Sequence, residues 1–117
     1  MRLRLLELQP SELFLDRDSI NFFLANRRLI WNLNPPIRIA YLLGLPFKYG
    51  VIEGNKRLFT LYLLGVKSLD IIPEEIGLGY EDEYSSSLKA YNHGIRSLSD
   101  LRRKIVSRRI YALNCAN

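Results

Sequence analysis

The sequence predicts an α+β fold, a small mixed β-sheet with helices packed on it. Three observations carry this. The first residues, Met1-Arg2-Leu3-Arg4-Leu5-Leu6-Glu7, alternate charge and leucine at the period of a strand. Residues 49–73 read as strand, turn, helix, strand. An apolar run from Tyr49 to Ile52 meets the polar turn Glu53-Gly54-Asn55-Lys56-Arg57, a helical pattern runs from Leu58 to Leu64 and stops at Gly65, and a second apolar run spans Leu69 to Ile72. Glycine and proline divide the rest into short elements.

Taken in order, the first strand puts Leu3 and Leu5 on one side and Arg2 and Arg4 on the other. Gln9-Pro10-Ser11-Glu12 is a turn, because Pro10 biases Gln9 away from helix. A helix is expected from about Asp18 to Asn32. Asp18 or Ser19 caps it, and Ile20, Phe23, Leu24, Arg27 and Trp31 form one stripe, Arg27 at its edge. Asn34-Pro35-Pro36 ends that helix. Ile37–Tyr41 and Tyr49–Ile52 form a hairpin through Gly44-Leu45-Pro46. The helix from Asn55 to Leu64 and the strand from Leu69 to Ile72 follow. Residues 74–84, acidic and holding Gly77 and Gly79, read as a loop, and Ser85–Tyr91 as a helix stopped by Gly94. Ser97-Leu98-Ser99-Asp100 resembles a capping box opening a last helix from Leu98 to about Ser107, with Leu98, Leu101 and Ile105 inward.

The 117 residues suit one domain, and 48% hydrophobic residues can fill a core. One cysteine, Cys115, excludes an internal disulfide framework and a cysteine-rich zinc site. It fits a cytoplasmic location. The N-terminus lacks the apolar block of a signal peptide, and no stretch approaches the roughly 20 apolar residues that span a bilayer. No membrane partner is therefore expected. A net charge of +5 favours anionic partners without demanding nucleic acid. Of the C-terminal basic residues, Arg102, Arg103, Lys104 and Arg108 are candidates for gripping a nucleic acid backbone, or else the solvated face of a helix. His93 has no second histidine to share a metal and reads as a helix C-terminal residue. Tyr41, Tyr49, Tyr62, Trp31 and Phe59 read as core or core-edge aromatics.

The turn at Gly54 is the candidate site. A glycine lets backbone approach a ligand, and the amides of Asn55, Lys56 and Arg57 fall in a first helical turn that has no acceptors of its own. Arg57 can grip a phosphate with two parallel hydrogen bonds, and Lys56 adds a point charge. The alternative is a tight turn with both cations in solvent. Glu53 can hold a metal or accept a proton, or it pairs with Lys56 or Arg57. Glu12, Asp16 and Asp18 would complete a magnesium site with it if the fold brings them to the same edge.

Several residues in this order resemble the ParB N-terminal domain, in the wider ParB/sulfiredoxin fold. They are Pro36-Ile37 before a strand, Gly54-Asn55-Lys56-Arg57 as Gly-x-x-Arg at a helix start, Leu64-Gly65 at its end, and Ile72-Pro73 closing the next strand. The resemblance covers about residues 3–73, leaving a helical C-terminal extension over about 84–110 of the single domain 1–117. It implies a nucleotide- or phosphate-binding domain linked to DNA transactions. CTP, ATP or ADP with magnesium are the implied ligands, and Gly54 to Arg57 the implied cradle. Other members are nucleases or small-molecule kinases, and a scaffold kept only for protein interaction is the further alternative. The separate helix-turn-helix of partition proteins has no counterpart here. Sulfiredoxins carry a cysteine in the turn where this chain has Asn55 and Lys56, which excludes sulfinic acid reduction. Partition proteins often have glutamate where Asn55 stands.

Overall fold

The N-terminal alternation does form a strand. In the computed structural model, which describes residues 1–42, 45–76 and 81–115 (without the side chains of 81–83 and 114–115), β1 spans Arg2–Arg4 and pairs antiparallel with β6, Ser68–Asp70. Leu3 is buried between exposed arginines. Leu5 is buried too, within a 3-10 turn, Leu5–Glu7, that leads to β2, Leu8–Gln9. Gly44 of the expected turn and Gly77 and Gly79 of the expected loop lie outside the described residues, as does the side chain of Cys115.

The central sheet has four strands in the order β2-β5-β4-β7. The expected hairpin is its middle, with β4, Arg38–Tyr41, antiparallel to β5, Tyr49–Glu53. β2 joins β5 in parallel, and β7, Glu74–Glu75, joins β4 in parallel. The sequence reads those glutamates as loop. The Arg38 guanidinium instead donates to both Glu74 carboxylate oxygens at 2.7 Å and holds the segment on the sheet edge. That hydrogen bonding keeps the Glu74 carboxyl below its ordinary range.

The expected helix over 18–32 is two. α1 spans Arg17–Ala25 and α2 spans Leu29–Asn32. Asn26 separates them, because its side-chain amide donates to the Phe22 carbonyl and its backbone leaves helical geometry. The break turns the stripe. Ile20 and Ile30 are buried, whereas Arg27 and Trp31 are exposed, so Trp31 is no core aromatic. The cap is Asp16, whose carboxylate accepts from the Asp18 amide at 3.0 Å and the Ser19 hydroxyl at 2.6 Å.

α3, Asn55–Leu63, follows β5 through Gly54 and carries Leu58, Phe59 and Leu61 into the core. It packs on α1 and on a 3-10 helix, Leu98–Lys104. α4, Glu81–Asn92, starts before the expected Ser85 and lies on β5. Residues 81–83 form its first turn. The Asp100 carboxylate accepts from the amides of Arg96 and Ser97, as the capping box predicts. The element it opens is not the expected α-helix. After Lys104 the chain becomes β8, Ile105–Val106, parallel to β3, Leu15–Asp16. Only then does α5, Arg108–Cys115, begin. Leu98 and Leu101 are fully buried with Leu8, Leu15 and Leu58 in one core. Among the described residues no helix is long and apolar enough to cross a membrane.

Candidate functional site

β5 ends at Glu53, and Gly54 turns the chain into α3 with φ of 108°, a conformation that side-chain-bearing residues rarely adopt. A Cβ there would also sit 2.9 Å from Ile37 Cγ1. Glycine is thus required twice over, by the turn and by the Ile37 side chain packed against it. No side chain caps α3, so its first-turn amides have no side-chain acceptor at the positive end of the helix.

Two clefts meet at this corner. One, of about 360 Å³, is lined by Ser11, Glu12, Glu53, Gly54, Asn55 and Ser86 among others. The other, of about 230 Å³, shares Glu12, Glu53, Gly54 and Asn55 and adds Lys56, Arg57 and Pro35. The corner is open, and all five expected residues from 53 to 57 line it, Glu53, Gly54 and Asn55 in both clefts and Lys56 and Arg57 in the second.

Their side chains divide the work differently from the sequence reading. Asn55 is buried and clamps Ser11. Its Oδ1 accepts from the Ser11 amide at 2.9 Å, and its Nδ2 donates to the Ser11 hydroxyl at 2.8 Å. That holds the 10–12 turn against the corner and delivers Glu12 into both clefts. Arg57 is turned inward and is 6% exposed. Its Nη2 donates to the Pro35 carbonyl at 2.6 Å, and its Nη1 reaches the Ile30 and Leu33 carbonyls at 3.4 Å. The expected phosphate fork is therefore spent on main-chain oxygens at the end of α2. Burial lowers the Arg57 pKa, which the nearby Glu53 charge partly offsets.

Glu12 is the residue the sequence reading left in the background. Tyr111 of α5 donates its hydroxyl to Glu12 Oε2 at 3.0 Å, and the Lys56 ammonium lies 4.7 Å from the centre of the same tyrosine ring. Burial pushes the Glu12 carboxyl above its ordinary range, more than Lys56 and the tyrosine hydroxyl lower it, and the Glu53 charge adds to the rise. Glu53 is exposed and forms no ion pair with Lys56 or Arg57 among the described residues. Spacing alone could not have paired Glu12 with Tyr111, which lies ninety-nine residues away.

The proposed four-carboxylate set does not assemble. Asp16 is consumed as the α1 cap and lies 3.7 Å from Arg108, and Asp18 is exposed. No group of three potential metal-ligating side chains occurs among the described residues. Burial raises the Asp16 pKa, but the Ser19 and Asp18 hydrogen bonds and the Arg108 charge outweigh it and hold the carboxyl low.

The basic C-terminal residues lie against several different partners. Arg102 stacks on Tyr62, with its guanidinium 5.1 Å from the ring centre, Lys104 lies 5.6 Å from the Phe14 ring, Arg108 meets Asp16, and Arg103 is exposed. His93 closes α4 with its Nδ1 donating to the Lys89 carbonyl at 2.8 Å, a helix-end role as expected.

No protein-family model and no curated protein matches the sequence. Three solved chains match its structure, among them protein Atu1540 from Agrobacterium tumefaciens, at a TM-score of 0.56 and 15% identity. The match covers 86% of this chain, and this chain spans 60% of the length of that one. At that identity the likeness is one of α+β fold alone.

Proposed function

We propose that this chain is a ParB-like domain that binds the phosphate of a nucleotide at the start of α3. The observation that supports the reading is the open corner at Gly54, where the uncapped α3 amides border two clefts and Lys56 adds a cation. Arg57 then acts as a wall, fixing the loop after α2, and main-chain amides replace it as the principal phosphate donors. CTP, ATP and ADP are the ligands to try. Magnesium fits as a companion, since Glu12 and Glu53 share the cleft and that ion is commonly held by one or two carboxylates together with phosphate oxygens. The DNA-linked role, the cytoplasmic setting and the ParB/sulfiredoxin relationship belong to the same proposal.

Calorimetric titration with each nucleotide, with and without magnesium, tests it. Saturable binding weakened about tenfold in Lys56→Ala is expected. Absence of binding to all three would overturn the reading and favour a scaffold used for protein interaction.

One observation favours a catalytic version. Glu12 and Glu53 line one cleft, and burial holds Glu12 in its protonated form to higher pH. A carboxyl kept protonated to higher pH, with a second carboxyl group in the same cleft, suits acid–base work beside a phosphate. Phosphate release or strand cutting abolished in Glu53→Gln and Glu12→Gln, with nucleotide affinity kept, would establish it.

A further inference from the structure

A third cleft, of about 370 Å³, lies where the β1–β6 ladder ends against the C-terminus of α3. It is lined by Arg4, Leu5, Leu6, Tyr62, Gly65, Val66 and Lys67, and shares no residue with the two at the α3 corner. Those two carry Glu12 and Glu53, whereas no acid is among the residues that line this one.

Its cations lack a counter-charge. Arg2, on the same face of β1 as Arg4, takes the nearby acceptors. Its Nη1 donates to the Ser68 hydroxyl at 3.2 Å, and its Nη2 lies 3.6 Å from the Asp70 carboxylate. Arg4 and Lys67 are exposed and form no ion pair among the described residues. A third cation borders the wall, for the Arg102 guanidinium lies 5.1 Å from the centre of the Tyr62 ring. The rest of the wall is apolar. Leu6 is 52% exposed, and Tyr62 and Val66 are half-buried. A Cβ on Gly65 would meet nothing within 4 Å, so the cleft is open at the α3 end. Main-chain donors here are already used. The Leu5 amide donates to the Lys67 carbonyl at 2.9 Å, that of Gly65 to Tyr62 at 3.1 Å, and that of Val66 to Leu61 at 3.0 Å.

We propose that this cleft binds a small amphipathic carboxylate, an aliphatic or aromatic acid. Its apolar body covers Leu6, Val66 and the Tyr62 ring, and its carboxylate meets Arg4 and Lys67. Charge complementarity selects the anion, since an acid-free wall with two cations repels an amine and gains nothing electrostatic from a neutral molecule. The exposed Leu6 selects the apolar body, because only apolar surface relieves its contact with water. The used amides leave few donors for the several oxygens of a phosphate, whereas a planar carboxylate matches one guanidinium with two parallel hydrogen bonds. The volume falls in the usual range for small-ligand sites. The proposal does not rest on the nucleotide reading of the α3 corner.

Calorimetric titration of the full chain with octanoate tests it. Saturable binding is expected, with octanamide and octylammonium about tenfold weaker or more, and with no measurable binding of acetate. From hexanoate to octanoate the affinity should rise about two- to fourfold per added CH₂. The pair Arg4→Gln and Lys67→Gln, both exposed positions, should weaken octanoate about tenfold, and Leu6→Asn about threefold, each with an unchanged circular dichroism spectrum. Lys56→Ala, at the other site, should leave octanoate affinity unchanged. No saturable binding at millimolar octanoate, equal binding of octanamide, or full affinity in the Arg4 and Lys67 pair overturns the proposal. Binding to anionic phospholipid vesicles that the same pair abolishes, without binding of free octanoate, would also overturn it and assign the face to a lipid surface.

Discussion

Glu12 and Asp16 lie one helical turn apart in sequence, yet the fold moves their carboxyls in opposite directions. The folded Glu12 carboxyl titrates above its ordinary value of 4.5 because burial outweighs Lys56 and Tyr111. Its favourable contribution to stability is therefore complete below that value and is lost as pH rises through the folded one. Glu12→Gln should stabilise the protein at pH 7 by about 1 kcal/mol or less and give no gain near pH 4, as urea denaturation at both values will report. Asp16 behaves in reverse. Its hydrogen bonds from Ser19 and the Asp18 amide are at full strength above its ordinary 3.8 and fade as pH falls through the lower folded value. Asp16→Ala should cost about 1 kcal/mol at pH 7, the usual worth of an N-cap, and progressively less in acid. The sequence pattern places the cap at Asp18 or Ser19. Local pattern located the helix start to within two residues, but the choice among three polar side chains depended on backbone geometry at Asp16.

At the scale of elements, the strand–helix corner was legible because each of its parts is local. The apolar run of β5, the glycine and the helical period of α3 need no distant partner to declare themselves. Gly54→Ala should lower stability by about 1 kcal/mol or more, from the positive φ and the contact with Ile37, and urea midpoints will show it. The direction of Arg57 was not legible. Which of two adjacent cations meets solvent depends on where α2 ends, and the carbonyls of Ile30, Leu33 and Pro35 claim the second. Arg57→Met should then cost about 2 kcal/mol by leaving those carbonyls short of donors, while Lys56→Ala should cost under about 0.5 kcal/mol and act on ligand affinity instead. A loss of affinity in Arg57→Met without loss of stability would return the guanidinium to the ligand.

In the whole molecule, the two ends of the chain are bound into one structure. β1 pairs with β6, β3 pairs with β8, and Tyr111 reaches Glu12. Leu98 and Leu101 share the core with Leu8 and Leu15. Residues near the C-terminus thus help to shape the corner at Gly54, and they are more than an appendix to residues 3–73. Leu101→Ala should destabilise by about 2–5 kcal/mol, and the loss should appear as one cooperative transition, coincident by circular dichroism and by Trp31 fluorescence. Two separate transitions would show that the C-terminal part folds apart from the rest.

The sequence by itself determined the α+β class, the central hairpin, the Gly54 turn and the helix after it, because periodicity, glycine and proline act over a few residues. Tertiary structure alone decided the break at Asn26, the strand pairing of Glu74–Glu75 and Ile105–Val106, and the inward turn of Arg57. It also brought Glu12 beside Tyr111. Each of these depends on an acceptor, a donor or a strand edge supplied from elsewhere in the chain, and no local pattern encodes a partner that only folding brings near.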